Sequence, residues 1–335
     1  MPPDILLVRF SAMGDILLMT PLLRALRQRH PEARITVVTR AVFAPLLDRN
    51  PRVTEVIGWA PGRSLRELGA ALGRRAFTHR LDLHGGLRSR MLRWYAGGRW
   101  SGYPKHRVAR TVLIKTRRNF YRDLRPVAER YFDAARGLDV RPDGGPLEFF
   151  LAAPALAAGG EFLARNGLGV TRQLLALAPG AAHFTKRWPP HHWKALVRLL
   201  IAGGNDVVLV GGPADRELCG AMAAAGGERV VSAAGKFNIP GTAALLKRAR
   251  ALVSGDTGVM HLATAVGTPV VALFGPTVEA FGFSPYHAKA AVLQRELPCR
   301  PCSSHGTAAC PLKHHRCLQD LQPDQVLEAL RRLPR

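Results

Sequence analysis

Short apolar runs alternate along the whole chain with longer stretches of helical periodicity. The runs are branched and uncharged, as buried parallel strands are, whereas the stretch after the first run repeats apolar residues at Leu22, Leu23 and Leu26 until Pro31. This alternation predicts parallel sheets covered by helices on both faces. The predicted strands are residues 5–8, 35–38, 53–57, 80–83, 174–177, 207–210, 230–231, 251–254 and 270–274.

The strand pattern falls into two similar halves separated by a segment rich in proline, glycine and alanine, residues 141–160. A chain of 335 residues also exceeds the usual size of a single hydrophobic core. We therefore predict two Rossmann-like domains, residues 1–160 and residues 161–335. Two such domains would leave a cleft between the carboxyl ends of their sheets, which is a favoured place for a small ligand.

Charge narrows the classes of partner. The chain carries 48 basic and 24 acidic residues, a net charge of +24, which attracts nucleic acid, an anionic membrane surface or phosphorylated substrates. Basic residues are dense in residues 87–125, where Trp94, Tyr95, Trp100 and Tyr103 are interleaved with them. Such a mixture suits single-stranded nucleic acid and equally suits sugars with acidic groups, and it is also compatible with an ordinary solvated face.

The first residue with a chemical interpretation is Asp15, which follows Gly14 between the first apolar run and the first helical stretch. This junction lies at the carboxyl end of a strand, where open α/β sheets bind their ligands. The alternative is that Asp15 only caps the helix by accepting backbone N–H bonds. Together with Asp4 and Arg9, Asp15 also interrupts the apolar start of the chain, so we expect no signal peptide and a cytoplasmic protein.

In the second half, "APGAAHFTKRWPPHHW" (residues 178–193) places a turn at Gly180 after a predicted strand and then brings in Lys186. Backbone N–H groups at such a turn and an ammonium can share the charge of a pyrophosphate. The alternative is an ordinary loop with a solvated lysine.

The segment "SGDTGVMHLATAVGTPVVALFGPT" (residues 254–277) also follows a predicted strand and opens a helix. Amides at the start of that helix, with Thr257 and Gly258, would form an anion site. Asp256 would orient this site or cap the helix, while His261, one turn further on, would face the ligand or pack in the core.

Four of the five cysteines lie within nineteen residues: Cys299, Cys302, Cys310 and Cys317. They begin with a Cys-x-x-Cys pair, which in a cytosolic chain favours metal thiolates over disulfides. The spacing lacks the second Cys-x-x-Cys pair of a standard zinc site. A structural metal, a redox pair or disulfide, and unligated thiols all remain open.

Three of these segments together resemble the signature segments of the ADP-heptose:lipopolysaccharide heptosyltransferase family, glycosyltransferase family 9. They are "ILLVRFSAMGDILLMTPLLRALRQRHPEARITVVTR", "LAPGAAHFTKRWP" and "SGDTGVMHLATAVGTPVVALFGPT", in the family's order and approximate spacing. The cysteine-rich segment followed by "QDLQPDQVLEAL" is similar to the end of some members. The resemblance implies the GT-B arrangement of two Rossmann-like domains, with the acceptor in the first and the nucleotide sugar in the second.

The resemblance also implies roles for individual residues. Heptose would pass with inversion from ADP-L-glycero-D-manno-heptose to the inner core of lipopolysaccharide, and Asp15 would be the general base. Lys186 would offset charge on the departing diphosphate. No cofactor would be required for this catalysis. The remaining donor-binding residues would be Gly180, Asp256, Thr257, Gly258 and His261, with Asp215 or Glu217 on the ribose by analogy with sheet-edge acids.

Within the same interpretation, Arg88, Arg90 and Arg93 would bind acidic groups of the lipid A and inner-core acceptor. The enzyme would then be cytoplasmic and peripheral at the anionic face of the inner membrane, with no nucleic acid as a partner. One alternative is a sister glycosyltransferase that uses another nucleotide sugar for a surface glycan. Another is a basic nucleic-acid-binding protein. A nucleotide-dependent oxidoreductase is disfavoured, because no Gly-x-Gly-x-x-Gly turn follows the first strand.

Overall fold

The computed structural model describes residues 1–334 and divides into two α/β units. The first unit comprises Met1–Lys105 and Arg125–Phe150, and the second comprises His106–Leu124 and the chain from Leu151 onward. Each unit is built on one parallel sheet, so the predicted fold class, α/β with two Rossmann-like domains, is confirmed. The predicted division at residue 160 treated each domain as one continuous segment, whereas the second unit also includes His106–Leu124.

The sheet of the first unit has the strand order β3-β2-β1-β4-β5 with all strands parallel. Its centre is β1, which pairs with β2 on one side and with β4 on the other. The chain reverses the direction in which it adds strands between β1 and β4, and this is where open α/β sheets bind ligands. The strands are β1 (Asp4–Val8), β2 (Arg34–Arg40), β3 (Glu55–Trp59), β4 (His79–Asp82) and β5 (Ser101–Gly102).

Helices cover this sheet on both faces, which is why the inner strands are continuously apolar. The 3-10 helices of the first unit are Ala41–Leu46 and Tyr131–Leu138. Its α-helices are α1 (Met13–Leu17), α2 (Thr20–Arg29), α3 (Leu65–Gly73), α4 (Leu87–Ala96) and α6 (Val127–Arg130). Between α4 and α6 the chain passes into the second unit, where it forms α5 (Arg107–Thr116).

The helical stretch after β1 differs from its prediction as one helix, because it is broken into α1 and α2. Pro21 lies in the first turn of α2 and has no N–H to donate to the Leu17 carbonyl. The Thr20 hydroxyl donates to that carbonyl instead, at 2.7 Å. The break leaves α1 as a single short turn of helix that carries Asp15.

The sheet of the second unit has the order β11-β10-β9-β6-β7-β8 and is also entirely parallel. Its change of direction lies between β6 and β9. All nine predicted strands are present, and the edge strands β5 and β11 are additional. The strands are β6 (Leu174–Ala178), β7 (Asp206–Leu209), β8 (Val230–Ser232), β9 (Ala251–Gly255), β10 (Val270–Phe274) and β11 (Ala290–Gln294).

The helices of the second unit enclose a core around Trp188, Trp193 and Leu177. Leu113 and Tyr121 belong to a smaller cluster with Phe281, which is how His106–Leu124 packs into this unit. None of the helices in residues 1–334 is long and apolar enough to span a bilayer. Besides α5, the α-helices of this unit are α7 (Ala153–Arg165), α8 (Pro190–Ala202), α9 (Arg216–Gly226), α10 (Ile239–Arg248), α11 (Gly258–Ala265), α12 (Arg316–Gln319) and α13 (Pro323–Arg332).

An ion pair ties the end of the first unit to α2. Arg24, whose side chain is only 8% exposed, donates from Nε to Asp143 Oδ2 at 2.6 Å and from Nη2 to Asp143 Oδ1 at 2.8 Å. It also donates to the Pro146 carbonyl at 2.9 Å. The hydrogen bond from Arg24 is the main reason that the pKa of Asp143 falls to about 2.

Asp143→Asn is therefore expected to destabilise the fold in a pH-dependent way. Since the folded-state pKa is depressed, the stabilisation is present above the unfolded pKa near 4 and is lost as the pH falls through about 2. At pH 7 the free energy of unfolding should drop by about 2 kcal/mol, and the gap to wild type should narrow below about pH 4. Urea unfolding followed by circular dichroism between pH 7 and pH 3 measures both effects.

Asp139→Asn is the matched control, because the Asp139–Arg29 pair is exposed and should contribute little. An Asp143→Asn gap that stays constant down to pH 3 would contradict the assignment.

Candidate active-site residues of the two units

Asp15 lies at the carboxyl end of β1, in the first turn of α1. Its Oδ2 accepts a hydrogen bond from the Ala12 N–H at 3.0 Å, so one oxygen does cap the helix, as the structural alternative proposed. Its other oxygen, Oδ1, forms an ion pair with the Arg9 guanidinium. The Asp15 side chain remains 17% exposed. The carboxylate is thus fixed by the backbone on one side and by a cation on the other, while part of it faces solvent.

Arg9 is buried and also donates to the Leu83 carbonyl. Burial alone would lower the pKa of Arg9, but Asp15, Tyr131 and Tyr103 together raise it above its ordinary value, so the guanidinium stays charged. Burial raises the pKa of both tyrosines, which stay protonated at neutral pH. A cation beside a carboxylate favours the ionised carboxylate, so the ion pair with Arg9 favours the ionised form of Asp15.

Two neighbours of this pair are also set by the fold. The Tyr131 hydroxyl lies 3.5 Å from Asp15 Oδ1, and the Tyr131 ring packs edge-on against the Tyr103 ring. Burial, helped by the positive charges of Arg9 and Lys105, lowers the pKa of His84 to about 4. His84 is therefore neutral at pH 7 and a much weaker base than an ordinary histidine.

The candidate acceptor residues lie on α4, which follows β4. Asp82 fixes the start of this helix by accepting bonds from the N–H groups of His84 and Gly85 and from the Ser89 hydroxyl, at 2.8 to 3.0 Å. Arg93 approaches the same carboxylate at 3.5 Å. Arg88 and Arg90, by contrast, are exposed on the outward side of α4. Of the three predicted arginines, Arg93 is therefore the one that contacts the Asp82 carboxylate, while Arg88 and Arg90 are exposed.

In the second unit, Lys186 and Asp256 form a buried ion pair. Lys186 ends a short 3-10 helix after β6, and Asp256 directly follows β9, the neighbouring strand. Lys186 Nζ donates to Asp256 Oδ2 at 2.7 Å and to the Asp256 carbonyl at 3.0 Å. The Thr277 hydroxyl donates to Asp256 Oδ2 at 2.7 Å. The two side chains are 16% and 8% exposed, so the ammonium is held at the carboxyl edge of the sheet with little freedom.

The start of α11 lies beside this pair. Thr257 is the residue before the helix, Gly258 is its first residue, and both are partly exposed. The Thr257 hydroxyl lies 3.1 Å from the Ser254 hydroxyl. His261, one turn further, is only 4% exposed. The helix therefore presents its first N–H groups next to the Lys186 ammonium, a combination suited to an anion.

Gly180 and Asp215 meet on the other side of β6. A Cβ at Gly180 would overlap the Asp215 carboxylate, so only glycine fits this close approach. Asp215 Oδ2 accepts from the Gly212 N–H at 2.9 Å, which orders the turn after β7. Glu217, two residues further on, is exposed near the start of α9. Of the two predicted acids, Asp215 is the one in contact with Gly180.

The cysteine-rich segment braces the Lys186 loop. Thr185, buried beside Lys186, exchanges backbone and hydroxyl hydrogen bonds with Thr307 at 2.8 to 3.3 Å. His315 Nε2 lies 3.2 Å from the Thr185 carbonyl. Burial lowers the pKa of His315, so it contacts the carbonyl as a neutral ring that donates its N–H. The segment therefore stabilises the position of the ammonium.

The structure does not support the predicted structural metal at Cys299, Cys302, Cys310 and Cys317. Within residues 1–334, no group of three or more His, Cys, Asp or Glu side chains is arranged to hold a metal ion. Cys317 instead packs in the hydrophobic core, where burial raises its pKa to about 12 and keeps it a neutral thiol. None of the five cysteines forms a disulfide.

Several residues around both pairs escaped the sequence interpretation. Arg9 could have been identified from the sequence, because a charged residue directly after a buried strand is a candidate for the ligand-binding edge. Tyr131 gave none, because it lies 116 residues from Asp15 in the sequence. Thr277, Thr307 and His315 are ordinary polar residues whose partners depend on loop geometry.

Comparison with known proteins places this arrangement in a family. Residues 65–313 match the model of glycosyltransferase family 9 (heptosyltransferase). Lipopolysaccharide heptosyltransferase 2 of Salmonella typhimurium is 30% identical, and the alignment covers 98% of each chain.

Solved structures agree with this match over nearly the whole length. A glycosyltransferase family 9 structure from Veillonella parvula has a TM-score of 0.80 at 25% identity, covering 98% of this chain and 96% of that one. The structure of E. coli ADP-heptose LPS heptosyltransferase II has a TM-score of 0.75 at 27% identity, covering 98% and 97%. A family model that matches most of the chain, together with a relative that is 30% identical along nearly its whole length, shows that the chain belongs to glycosyltransferase family 9.

Proposed function

We propose that this glycosyltransferase transfers heptose, with inversion, from ADP-L-glycero-D-manno-heptose to the inner core of lipopolysaccharide. The proposal depends on two ion pairs, one at the carboxyl edge of each sheet. They are Asp15 with Arg9 after β1, and Lys186 with Asp256 after β6 and β9. A carboxylate can activate the acceptor hydroxyl, and a fixed ammonium can stabilise the departing diphosphate. The related E. coli protein is named an ADP-heptose LPS heptosyltransferase, which supports this donor and acceptor.

In this proposal the first domain, residues 1–160, binds the acceptor and Asp15 is the general base. The acceptor hydroxyl donates its proton to Asp15 as its oxygen attacks the anomeric carbon, and the bond to the diphosphate breaks. Oδ1 faces Arg9 and Tyr131, and Oδ2 faces the Ala12 N–H, so proton transfer uses the part of the carboxylate that remains exposed. Direct attack by one base-activated hydroxyl inverts the anomeric centre.

The second domain, residues 161–335, binds the donor. Lys186 contacts the diphosphate and stabilises the charge that develops on the departing ADP. The N–H groups at Thr257 and Gly258 contribute to the same anion site. Asp256 orients Lys186, and Gly180 leaves the space on the donor side that the Asp215 carboxylate occupies.

The two remaining donor residues are assigned by their surroundings. His261 lines the inner side of the helix start as a buried residue. Asp215 is the better candidate than Glu217 for the ribose, because it adjoins Gly180. No cofactor has a step in this scheme.

The acceptor is a lipid, so we also propose that the enzyme is cytoplasmic and binds peripherally to the anionic face of the inner membrane. Arg88, Arg90 and Arg93 are proposed to bind acidic groups of the lipid A and inner-core acceptor. Support comes from charge: residues 83–122 contain eleven lysines and arginines and no aspartate or glutamate.

The proposal predicts that the purified protein transfers heptose from ADP-heptose to a heptose-deficient lipopolysaccharide core, and that Asp15→Asn abolishes this turnover. The variant keeps the hydrogen-bonding shape but loses the proton acceptor, so kcat should fall by at least about a hundredfold. ADP-heptose binding, measured by calorimetry, should be unchanged in the variant. Wild-type protein that neither binds nor uses ADP-heptose, but uses another nucleotide sugar, would identify the sister glycosyltransferase instead.

Lys186→Met should lower kcat by about a hundredfold to a thousandfold, because the group that stabilises the departing diphosphate is lost. Lys186→Arg keeps the charge and should retain more activity than Lys186→Met. Steady-state kinetics with saturating donor separates the effect on kcat from weaker binding. A Lys186→Met enzyme with the kcat of wild type would exclude the role, provided that its thermal unfolding midpoint shows an intact fold.

Arg9→Met should move the acid limb of kcat/KM to higher pH. Without the guanidinium, Asp15 loses the charge that favours its ionised form, so a higher pH is needed to obtain the base. Arg9→Lys keeps a cation and should shift the limb less. The measurement is a pH profile of kcat/KM for the three proteins, and coincident acid limbs would show that Arg9 does not influence the base.

A further inference from the structure

Helix α4 carries an apolar ridge on the side that faces solvent. Leu87, Met91 and Trp94 are 74%, 42% and 78% exposed. Their spacing of four and three residues places them in one line along the helix. Ser89, Leu92 and Ala96 form the opposite, buried side, and the helix packs against α3. The ridge is therefore the centre of the outward face and not the edge of the core.

This pattern is the reverse of an ordinary surface helix, whose outward face is polar. Single exposed apolar residues are common, but a continuous line of three large ones marks an interaction surface. Arg88 and Arg90, both exposed, flank the ridge on its two sides. The surface thus combines a convex apolar centre with a cationic margin.

Charge identifies the kind of partner. Helix α4 contains three arginines and no acidic residue, and it lies at the start of the 40-residue stretch without aspartate or glutamate. A partner must therefore be anionic as well as able to receive aliphatic and indole side chains. Tryptophan favours the headgroup level of a bilayer, and arginine keeps its guanidinium at the phosphates while its stem contacts apolar material. An anionic bilayer surface offers both environments.

A shallow depression beside the ridge fits the same partner. It is lined by Arg90, Arg93, Trp94, Gly98 and Trp100. Two guanidinium groups and two indole rings around a small hollow can receive a phosphate-bearing headgroup. A nucleic acid would use the aromatic and basic groups, but it gives no burial to Leu87 and Met91.

We propose that α4 docks the enzyme on an anionic bilayer by inserting Leu87, Met91 and Trp94 at the boundary between headgroups and acyl chains, with Arg88 and Arg90 on the headgroup phosphates. The inference rests on the proposed function only in that the acceptor is a membrane lipid. It assigns the contact to one helix face, and the vesicle-binding measurement that tests it requires neither donor nor acceptor.

The experiment is binding to vesicles of phosphatidylcholine with and without phosphatidylglycerol, followed by sedimentation. Wild type should bind the anionic vesicles and not the neutral ones. The Leu87→Ser, Met91→Ser, Trp94→Ser triple variant should bind the anionic vesicles at least about tenfold more weakly, because the inserted apolar area is lost. The matched control is Val170→Ser with Leu312→Ser, two similarly exposed residues of the second unit, which should bind as wild type does.

A second readout locates the contact. Lipids brominated near the headgroup should quench wild-type tryptophan fluorescence on vesicle binding, and Trp94→Phe should remove most of this quenching, with Trp100 as the remaining source, while it keeps the ridge apolar. The triple variant should retain wild-type turnover on detergent-dispersed acceptor, which separates docking from catalysis. Wild-type vesicle affinity in the triple variant, or binding only to vesicles that contain the acceptor, would overturn the proposal.

Discussion

The burial of the Arg9 guanidinium is the constraint on which the candidate site of the first unit depends. A buried cation loses its hydration and must be paired, so Arg9 requires a carboxylate and a carbonyl close to the end of β1. Asp15 supplies the carboxylate because the break at Pro21 leaves α1 as one separate turn next to the strand. Removing Asp15 would leave the buried Arg9 guanidinium without its carboxylate, whereas Asp15 without Arg9 would keep its bond from the Ala12 N–H and its contact with solvent. The position of Asp15 is therefore set by the packing of the domain.

A carboxylate held in this way is ionised but only weakly basic. Transfer at an anomeric carbon has a transition state with oxocarbenium character, in which the leaving group has largely departed. The attacking hydroxyl then needs to lose its proton only as its bond forms, and a weak base in a fixed place is sufficient. The charge that most needs stabilisation is then the one on the departing diphosphate, and the proposal places Lys186 there. Its ion pair with Asp256 follows the same principle of a charge held in place by a buried partner.

Part of this organisation could be predicted from the sequence. The central strands are apolar on both faces, so their positions are visible as uninterrupted runs, and Asp15, Lys186 and Asp256 stand out as charges that follow such runs. The two-residue strand β5 is too short to show such a run, and the short, alanine-containing run of β11 was not predicted as a strand. The spacing of the cysteines left their state open, because it does not show that Cys317 packs in the core. Contacts between distant segments, such as Tyr131 with Asp15 or Thr307 with Thr185, arise from tertiary packing and leave no local pattern.

The central claim is that one ionised carboxylate activates the acceptor hydroxyl for direct displacement of ADP. The anomeric configuration of the transferred sugar tests it most directly. NMR of the product formed from ADP-heptose and a heptose-deficient core gives this configuration from the one-bond coupling between the anomeric carbon and its proton, because the H1–H2 coupling of a manno sugar is small in both anomers. The account predicts a product whose anomeric configuration is opposite to that of the donor. A product with the donor's configuration would require a second displacement step and would contradict it.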